Sequence, residues 1–523
     1  MTYPQRLRGQ APRAPRQKHA VDDWTRLRRF LVLGTEGGSF YAGESELTAA
    51  NAAAVARCID ADGARVVAET VAISRAGRAP KNDPALFALA MAAGAEDVAT
   101  RRAALDALPA VARTGTHLLM FASFVEGFRG WGRGLRRAVG GWYAAQDADR
   151  LALQAIKYRA RGGIAHRDVL RLAHPARTVS ARNPAQAVSD EHARLFEWIV
   201  RGGTVDGLPR IVEGFVRVQR ARDAAEAASL IRAYGLPREA VPPELLTSPE
   251  VWAALLEDMP MTAMIRNLAT MTRVGLLGRR TTGTRLVVER LRDADRLRRA
   301  RVHPIAVLAA LRTYAAGRGV RGRGTWTPVK AVVDALDAAF HAAFGNVEPT
   351  GGRTMLALDV SGSMGWGEIA GVPGLTPRDA SAAMAMVTAA VEDEYEVVGF
   401  CDQLRPLKIR PEKGLDKVVK AISDLPFGAT DCAKPMLYAM AKGIAIDTFV
   451  VYTDSETWAG RVTPAEALRQ YRAASGIDAR LVVVGMVAGR FSIAHPGDPG
   501  MLDVVGFDTA TPQVIADFAR RAM

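Results

Sequence analysis

The pattern of apolar and polar positions divides the chain into a long helical part and a shorter part of buried strands. From about Trp24 to Gly345, apolar residues recur every three or four positions, which is the spacing of amphipathic helices. Alternating, strand-like segments are nearly absent there. Because such a run is too long for one helix bundle, we predict paired helices stacked as a solenoid, although no clean repeat period is visible.

The pattern changes after the segment "NVEPTGGRT". Four short, β-branched, apolar runs follow, of the kind that is buried in a parallel sheet: "RTMLALDV", "YEVVGFCD", "IDTFVVYTD" and "ARLVVVGMV". Helical stretches lie between them. Those that start at Thr376 and Thr463 each have a capping threonine, a proline in the first turn and an acidic residue three positions after the threonine. Strands that alternate with helices predict a doubly wound, Rossmann-like α/β domain.

The sequence therefore predicts three parts. Residues 1–20 form a flexible basic arm, residues 21–350 a helical module and residues 351–523 the α/β domain. The cysteines are too few and too scattered for a disulfide framework, so a reducing, cytoplasmic location is expected. The N-terminus lacks the apolar core of a signal peptide, and no apolar run is long enough to suggest a membrane span.

The formal net charge of +14 is unevenly placed along the chain. From Gly351 onward there are 17 Lys+Arg and 21 Asp+Glu, a net charge of −4, which leaves 52 basic and 34 acidic residues and a net charge of +18 before that point. A basic module of this size indicates a polyanionic partner, most often nucleic acid. An arginine-rich composition inherited from a GC-rich genome is the alternative explanation.

Oxygen-bearing side chains follow the first predicted strand, in the stretch "LALDVSGSMG". Asp359, Ser361 and Ser363 lie there, Asp454 ends a later strand, and Thr430 lies in the loop "PFGATDC". Ligands of doubly wound sheets bind beyond the carboxyl ends of the strands, so we expect these five side chains to meet. Two carboxylates and three hydroxyls suit Mg²⁺ or another hard divalent cation. A serine-rich turn that caps a helix is the alternative.

This arrangement resembles the metal-ion-dependent adhesion site of von Willebrand factor A domains, and the resemblance covers residues 352–523. D-x-S-x-S follows an apolar strand and precedes a threonine and then a strand that ends in T-D. The resemblance implies a divalent cation with one open position, which an acidic group of a protein partner can fill. Catalysis is not indicated, since no second aspartate lies two residues after Asp359 and no G-x-S-x-G or G-x-x-x-x-G-K motif is present.

Segments of both parts resemble the Ro autoantigen family, in order, from about Asp22 to the C-terminus. In the helical module they are "GTEGGSFYAGESELTAAN", "KYRARGGIAHRDVLRLAHP", "MPMTAMIRNLATMTRVGLL" and "ARVHPIAVLAALRTYAAGRGVRGRGTW". In the last domain they are "FGATDCAKPM", "TDSETWAG" and "GMLDVVGFDT". The resemblance implies a TROVE module of HEAT-like helical repeats, closed into a ring by the A domain.

The same resemblance implies a function. Ro proteins bind small non-coding Y RNAs on a basic outer surface, and their central cavity admits the single-stranded 3′ ends of misfolded or structured RNAs, in RNA quality control. In bacterial relatives the RNA joins the protein to an exoribonuclease such as polynucleotide phosphorylase. A single strand can enter a narrow basic opening, whereas a duplex must lie outside it.

Three residues match family positions that contact Y RNA: Lys157, Arg161 and His174. Lys157 and Arg161 are four positions apart, which predicts that they share one helix face and follow adjacent phosphates. His174 could stack on or hydrogen-bond an unpaired base. A solvated helix face is the alternative for the two cations, and a buried, hydrogen-bonded histidine is the alternative for His174.

Other basic residues are candidates for RNA contact on charge and position. Arg133, Arg136 and Arg137 are spaced to share a helix face, whereas the nearby Trp142 and Tyr143 are expected in the core. Three residues of "IRNLATMTR" are candidates for lining the cavity, and a lysine after "SRAGRAP" is a further exposed candidate: Arg266, Asn267, Arg273 and Lys81.

Two functions remain open on the sequence. The first is a non-enzymatic RNA-binding protein of RNA quality control. The second is a metal-dependent protein-interaction module on a helical scaffold, whose basic face reflects composition only. The salt dependence of RNA retention separates them, because a phosphate-binding surface loses affinity as salt rises. An RNA-processing enzyme is not indicated, since no paired carboxylates lie outside the predicted metal site.

Overall fold

The computed structural model describes most of the chain as a helical part followed by an α/β part. The described residues are 22–35, 39–41, 47, 52–79, 81–161, 163–175, 188–319, 324–425, 428–454, 459–486, 493–495, 497–507 and 509–520. The predicted arm, residues 1–20, lies outside the described residues.

Helices dominate the described structure before Gly351, as the apolar spacing predicts. Several begin at a side chain that accepts a hydrogen bond from the first turn, as the Asp22 carboxylate does from Thr25 N–H at 2.7 Å. Such caps satisfy amides that have no partner within the helix. The elements of this part are α1 (Asp23–Leu33), β1 (Ser39–Tyr41), α2 (Ala53–Ala76), α3 (Asp83–Gly94), α4 (Val98–Asp106), α5 (Leu108–Val111), α6 (Gly115–Val125), α7 (Arg133–Ala144), α8 (Ala148–Lys157), β2 (Ala160–Arg161), β3 (Ile164–Ala165), α9 (His166–Ala173), α10 (Asp190–Arg201), α11 (Arg210–Val218), α12 (Ala224–Tyr234), α13 (Pro249–Glu257), α14 (Met261–Arg273), α15 (Thr282–Arg292), α16 (Ala294–Arg299), α17 (Pro304–Ala315) and α18 (Lys330–Ala342).

Helices of this part pack in pairs along the chain. α1 packs on α2, α3 on α6, α12 on α13, and α17 on α18. Their apolar faces join one buried cluster, in which Phe30, Trp142, Trp252 and Phe340 have almost no exposed surface. No helix within the described ranges has both the length and the apolar character that crossing a bilayer requires. The packing confirms the predicted helical fold.

The α/β part is built on a largely parallel sheet with helices on both faces. Within the described residues this sheet has seven strands in the order β1-β9-β8-β7-β4-β5-β6, and β6 runs antiparallel to β5. The four apolar runs that were predicted as strands form β4, β5, β7 and β8, whereas β6 and β9 were not predicted. The elements are β4 (Thr354–Asp359), α19 (Pro377–Ala389), β5 (Tyr395–Phe400), β6 (Leu404–Pro406), α20 (Leu415–Ser423), α21 (Lys434–Lys442), β7 (Thr448–Thr453), α22 (Pro464–Ser475), β8 (Arg480–Gly485), β9 (Met501–Val505) and α23 (Thr511–Ala519).

The helical part contacts the α/β part near both of its own ends. Close to the N-terminal end, β1 extends the sheet by pairing parallel with β9, with Ser39 opposite Asp503. Close to the C-terminal end, Arg312 of α17 donates a hydrogen bond at 3.3 Å to the carboxylate of Asp416, which lies in the first turn of α20. The chain therefore closes on itself, as the predicted ring requires. The contribution of β1 to the sheet was not predicted.

Candidate metal site and RNA contacts

The two halves of the predicted metal site meet at the carboxyl ends of β4 and β7. These strands are neighbours in the sheet, so Asp359 at the end of β4 lies beside Thr453 at the end of β7. The Asp359 carboxylate accepts a hydrogen bond from Ser361 N–H at 2.8 Å and a second from Thr453 Oγ1 at 2.8 Å. Two donors on different elements hold this buried carboxylate in one orientation.

The two serines of the motif lie together in the turn that follows β4. Ser361 Oγ and Ser363 Oγ share a hydrogen bond of 3.0 Å, and a turn of 3-10 helix spans Gly362–Gly365. Ser361 is buried and Ser363 is exposed. Arg378 of α19 donates to the carbonyl oxygen of Ser361 at 3.1 Å, which fixes the turn against the first helix. The hydroxyl pair therefore stands on a rigid loop at the sheet edge.

The remaining predicted ligands lie at the end of β7 and in the loop before α21. Asp454 directly follows β7, and its Oδ1 atom is buried with no hydrogen-bond partner among the described residues. Thr430 is buried, and its carbonyl oxygen accepts a hydrogen bond from Ala459 N–H at 3.0 Å. A buried carboxylate oxygen without a donor is costly unless a cation or water supplies the missing interaction.

The electrostatics of Asp359 favour a cation at this place. Burial raises the pKa of Asp359 to about 6, against the hydrogen bonds from Ser361 and Thr453 that lower it, and the charge of Asp454 raises it further. Among the described residues no group of three or more His, Cys, Asp or Glu side chains could hold a metal ion. Hydroxyl and water oxygens would therefore complete the coordination, and that donor set fits Mg²⁺. The assignment of the five residues as metal ligands stays a prediction, and the geometry at the strand ends is compatible with it.

The structure places Lys157 and Arg161 on different elements, so the prediction of a shared helix face is wrong. Lys157 is the last residue of α8. Arg161 lies in β2, which pairs with β3 in a short hairpin whose strands are two residues long. The helix ends because Tyr158 leaves the helical conformation, with φ −122° and ψ 53°. Lys157 is half-buried and Arg161 is exposed. Their role as RNA contacts stays a prediction, now for a helix end and an adjoining hairpin.

The alternative of a buried histidine is wrong for His174 and describes His166 instead. His174 is exposed and ends α9 in the left-handed conformation, with φ 45°. It lines a pocket of about 350 Å³ together with Arg171 and Arg201. His166 is 2% exposed, and its Nδ1 lies 2.8 Å from the Tyr143 hydroxyl. Of the two, only His174 has an accessible imidazole, and its contact with RNA stays a prediction.

The arginines of α7 share an exposed face, as their spacing predicts. Arg133, Arg136 and Arg137 are exposed, whereas Trp142 and Tyr143 of the same helix are almost fully buried. The Trp142 indole N–H donates to the Ala112 carbonyl oxygen at 2.5 Å, which fixes the inner face of α7. The helix thus presents a cationic face while its aromatic face is anchored.

The candidates on α14 differ in their environments. Arg266 and Arg273 are exposed, and they lie seven residues apart on one helix face. Asn267 is half-buried, and its side chain donates to the Ala263 carbonyl oxygen at 2.8 Å, so its amide is partly engaged within the helix. Lys81 is exposed just before α3. Each stays a predicted RNA contact.

A second group of cations around Arg273 was missed on the sequence. Arg279, Arg280 and Lys330 line one cavity with Arg273 and Trp326. The only sequence signal was the pair of arginines in "GLLGRRTT", which lies between two helices. Lys330 is far away in the chain and joins them only through the fold.

Comparisons with known proteins agree on one family. The TROVE domain model matches residues 12–202 and 236–313, and the Ro60 vWA domain model matches residues 353–519. The chain is 46% identical over 507 residues to the RNA-binding protein RO60 of Deinococcus radiodurans, covering 96% of this chain and 93% of that protein. It is 36% identical over 570 residues to the RNA-binding protein RO60 of Caenorhabditis elegans, covering 95% of this chain and 88% of that protein.

The solved structures give the same match. The fold is similar to the crystal structure of the Deinococcus radiodurans RO (RSR) protein, with a TM-score of 0.89 and 45% sequence identity. That similarity covers 96% of this chain and 100% of the other. Both curated relatives are named as RNA-binding proteins and neither is named as an enzyme.

Proposed function

This chain belongs to the Ro family, in which a TROVE domain is joined to a Ro60-type von Willebrand factor A domain, and we propose that it binds RNA through its helical part. The observation that carries the proposal is the charge of that part, 52 basic against 34 acidic residues before Gly351, with exposed arginines grouped on α7 and α14. Phosphate contacts by such cations contribute much of the affinity for nucleic acid. The relatives named for RNA binding support the same partner.

Small non-coding RNAs of the Y RNA type are the proposed ligands of the outer surface. Arg161 and His174 are exposed. Lys157 is half-buried at the end of α8, and Arg161 lies in the strand that follows, β2. The two cations suit contacts to a phosphate backbone, and the accessible imidazole suits stacking on or hydrogen bonding to an unpaired base. The exposed arginines of α7 add sequence-independent phosphate contacts.

Single-stranded 3′ ends of misfolded or structured RNAs are the proposed ligands of the ring's centre. The helical part closes against the α/β part, so only a flexible end could thread the closed path. Arg266 and Arg273, two helical turns apart, could each hold a phosphate of the same strand. In this proposal the protein acts in RNA quality control and passes defective ends to an RNA-tethered exoribonuclease of the polynucleotide phosphorylase kind. Cys58, Cys401 and Cys432 are buried and form no disulfide with one another, which suits a reducing compartment, so we place this work in the cytoplasm.

A divalent cation, Mg²⁺ or a similar ion, is the proposed cofactor of the α/β part. Asp359 and Asp454 would supply charge, and Ser361, Ser363 and Thr430 would supply hydroxyl oxygens. The ion would offer a coordination position to an acidic group of a protein partner. The residues hold and orient that position, and no general base or nucleophile is required of them.

A second candidate is a metal-dependent protein-interaction module without an RNA role. The unpartnered Asp454 Oδ1 beside Asp359 favours it, because it points to a cation at the strand ends rather than to RNA on the helices. A salt titration of RNA affinity separates the candidates. We expect the logarithm of affinity for a Y RNA-like stem-loop to fall steeply with the logarithm of salt concentration. A slope near zero would remove the RNA function and leave the second candidate.

A further inference from the structure

A cavity of about 1070 Å³ lies where the end of α14, the start of α15 and the segment before α18 meet. Its wall also includes four threonines: Thr272, Thr284, Thr325 and Thr327. Its volume is close to the upper end of the range of about 300–1,000 Å³ that is usual for small-molecule sites. It lies outside the predicted metal site.

Cations outnumber carboxylates in this lining. Arg273, Arg279 and Arg280 are exposed, and none of them forms an ion pair with a carboxylate of the described residues. The fourth cation, Lys330, is paired with Asp334 at 2.8 Å, so the pair is electrically neutral. Three guanidiniums without a counter-charge make the cavity a site for an anion.

The backbone adds further donors for an anion. α18 is 13 residues long and begins at Lys330 with no side-chain cap among the described residues. Lys330 and Ala331, the first two residues of the helix, both line the cavity. The amides of a helix's first turn have no partner within the helix, and the helix dipole favours negative charge at this end.

An indole forms the aromatic part of the wall. The Trp326 N–H donates to the Tyr314 carbonyl oxygen at 2.9 Å, and the two rings stack with an interplanar angle of 26°. Trp326 is half-buried and lines this cavity and an adjoining one of about 310 Å³ that includes Arg266. A ring held in place by its own hydrogen bond and stacking loses little freedom when a base packs against it.

Arg280 is held in a conformation that arginine rarely adopts. Its φ angle is +68°, in the left-handed region that glycine adopts without steric cost and in which a residue with a Cβ is strained. Backbone strain of this kind is concentrated at functional sites such as ligand-binding positions. Arg280 lines the cavity beside Arg279.

We propose that this cavity binds a phosphorylated nucleotide, with the phosphate held by Arg273, Arg279 and Arg280 at the start of α18 and the base packed on Trp326. The nucleotide is either free or the phosphorylated end of a single strand. The inference goes beyond the proposed function, since a free mononucleotide could occupy the site whether or not the ring binds RNA.

Titration of the full chain with AMP, adenosine and inorganic phosphate by calorimetry tests the proposal. We expect AMP to bind, adenosine to bind at least roughly tenfold more weakly because it lacks the phosphate, and phosphate to bind more weakly than AMP because it lacks the base. Equal affinity for AMP and phosphate would overturn the nucleotide assignment, and no binding of AMP or of the oligonucleotides below would overturn the whole proposal.

The Arg280→Gly variant separates binding from folding. It removes the guanidinium and relieves the left-handed strain, so we expect AMP affinity to fall roughly tenfold while the melting temperature stays or rises. Arg285→Ala is the matched control, because Arg285 is an exposed arginine of α15 outside the cavity lining and should keep AMP affinity. Equal AMP affinity in the two variants would overturn the assignment of Arg280.

Short oligoadenylates with and without a terminal phosphate distinguish the two sources of the nucleotide. If the phosphorylated strand binds more tightly than AMP, and Arg280→Gly loses that binding, the ligand is an RNA end. If AMP binds tightly and the phosphorylated strand binds no more tightly than AMP, the ligand is a free nucleotide. A Y RNA-like stem-loop run in parallel keeps the functions apart. If the parent protein binds the stem-loop but neither AMP nor the oligoadenylates, this site alone is overturned. If it binds AMP but not the stem-loop, only the RNA function is overturned.

Discussion

Thr453 Oγ1 donates a hydrogen bond to Asp359 Oδ2 at 2.8 Å, across two strands whose ends are 94 residues apart in the chain. The contact depends on the register of β4 and β7, in which Leu358 lies opposite Tyr452. That register sets Asp359 beside Asp454, so the sheet itself brings two carboxylates together in a buried place. A divalent cation would neutralise them, and its removal should be felt throughout the α/β part.

Magnesium should stabilise the α/β part through Asp359. At Mg²⁺ concentrations on the order of a hundredfold above Kd, ligand linkage gives about 3 kcal/mol, which is roughly 5–10 °C in melting temperature for a domain of this size. Asp359→Asn should abolish the Mg²⁺-dependent rise, and differential scanning calorimetry with Mg²⁺ or EDTA measures it.

The same variant should not melt lower than the parent when EDTA is present. Burial raises the pKa of Asp359 to about 6, so at neutral pH the folded protein holds an ionised carboxylate that burial disfavours, and asparagine removes that cost. Asp393→Asn, an exposed change in the same domain, controls for charge alone. A Mg²⁺-dependent rise that survives in Asp359→Asn would contradict the metal assignment.

Removal of Lys157 and Arg161 together should weaken binding of a Y RNA-like stem-loop. Each cation is expected to contact a phosphate, so the double alanine variant should lose roughly 1–3 kcal/mol of binding free energy, about tenfold to a hundredfold in Kd. Gel shifts at physiological salt measure the loss.

Arg222→Ala with Arg285→Ala removes the same charge from exposed sites elsewhere in the helical part and is the control. If both double variants lose the same affinity, net charge rather than the α8–β2 contacts accounts for the effect. An unchanged gel shift for Lys157→Ala with Arg161→Ala would show that these positions do not touch the RNA.

The sequence predicted the strands and helices best where one residue pattern is long enough to carry them. β4, β5, β7 and β8 are apolar runs of six residues, and the pattern identifies them. β1 spans only Ser39–Tyr41, too short to alternate visibly, and it becomes a strand because β9 offers an open edge to pair with. A partner that lies more than 450 residues further along cannot be read from local pattern.

Side-chain spacing was a poorer guide where an element ends. Lys157 and Arg161 have helical spacing, yet α8 ends at Lys157 and the chain turns back through Gly163, whose φ is +83°. The glycines of "RARGG" were the signal for that turn. The cavity around Arg273 shows the opposite case, since Lys330 and Arg279 meet only because α15 packs on α18.

The arginine face of α7 should set part of the salt dependence of RNA binding. Each phosphate contact adds roughly 0.7–0.9 to the slope of log affinity against log salt, so Arg133→Gln, Arg136→Gln and Arg137→Gln together should reduce its magnitude by about 2–3. Fluorescence anisotropy with a labelled stem-loop across a salt series measures it. Trp142 and Tyr143 stay untouched, so the helix should remain folded, which circular dichroism checks. A slope equal to that of the parent would place these arginines outside the RNA contact.

His166 should make the helical part less stable in acid. Its Nε2 atom is buried with no hydrogen-bond partner among the described residues, and a Cβ on Gly115 would lie 2.8 Å from it, so no space is left to solvate a second proton. Burial lowers the pKa of His166 to about 4, below the usual 6.5. Between these values the unfolded chain binds a proton that the folded chain does not, so the free energy of unfolding falls as pH drops from 6.5 towards 4.

The contribution of His166 to this loss of stability can be separated from the contributions of other titrating groups. The pKa values give roughly 3 kcal/mol from His166 by pH 4, and His303, whose pKa burial also lowers to about 4, adds a similar dependence. His166→Phe keeps an aromatic ring beside Tyr143 but cannot be protonated. Urea unfolding of the parent and of this variant from pH 7 to 4.5 should therefore give lines that converge as the pH falls, because the variant loses the Tyr143 hydrogen bond at every pH but escapes the protonation cost. Parallel lines for the parent and His166→Phe would mean that the buried ring takes up its proton without penalty.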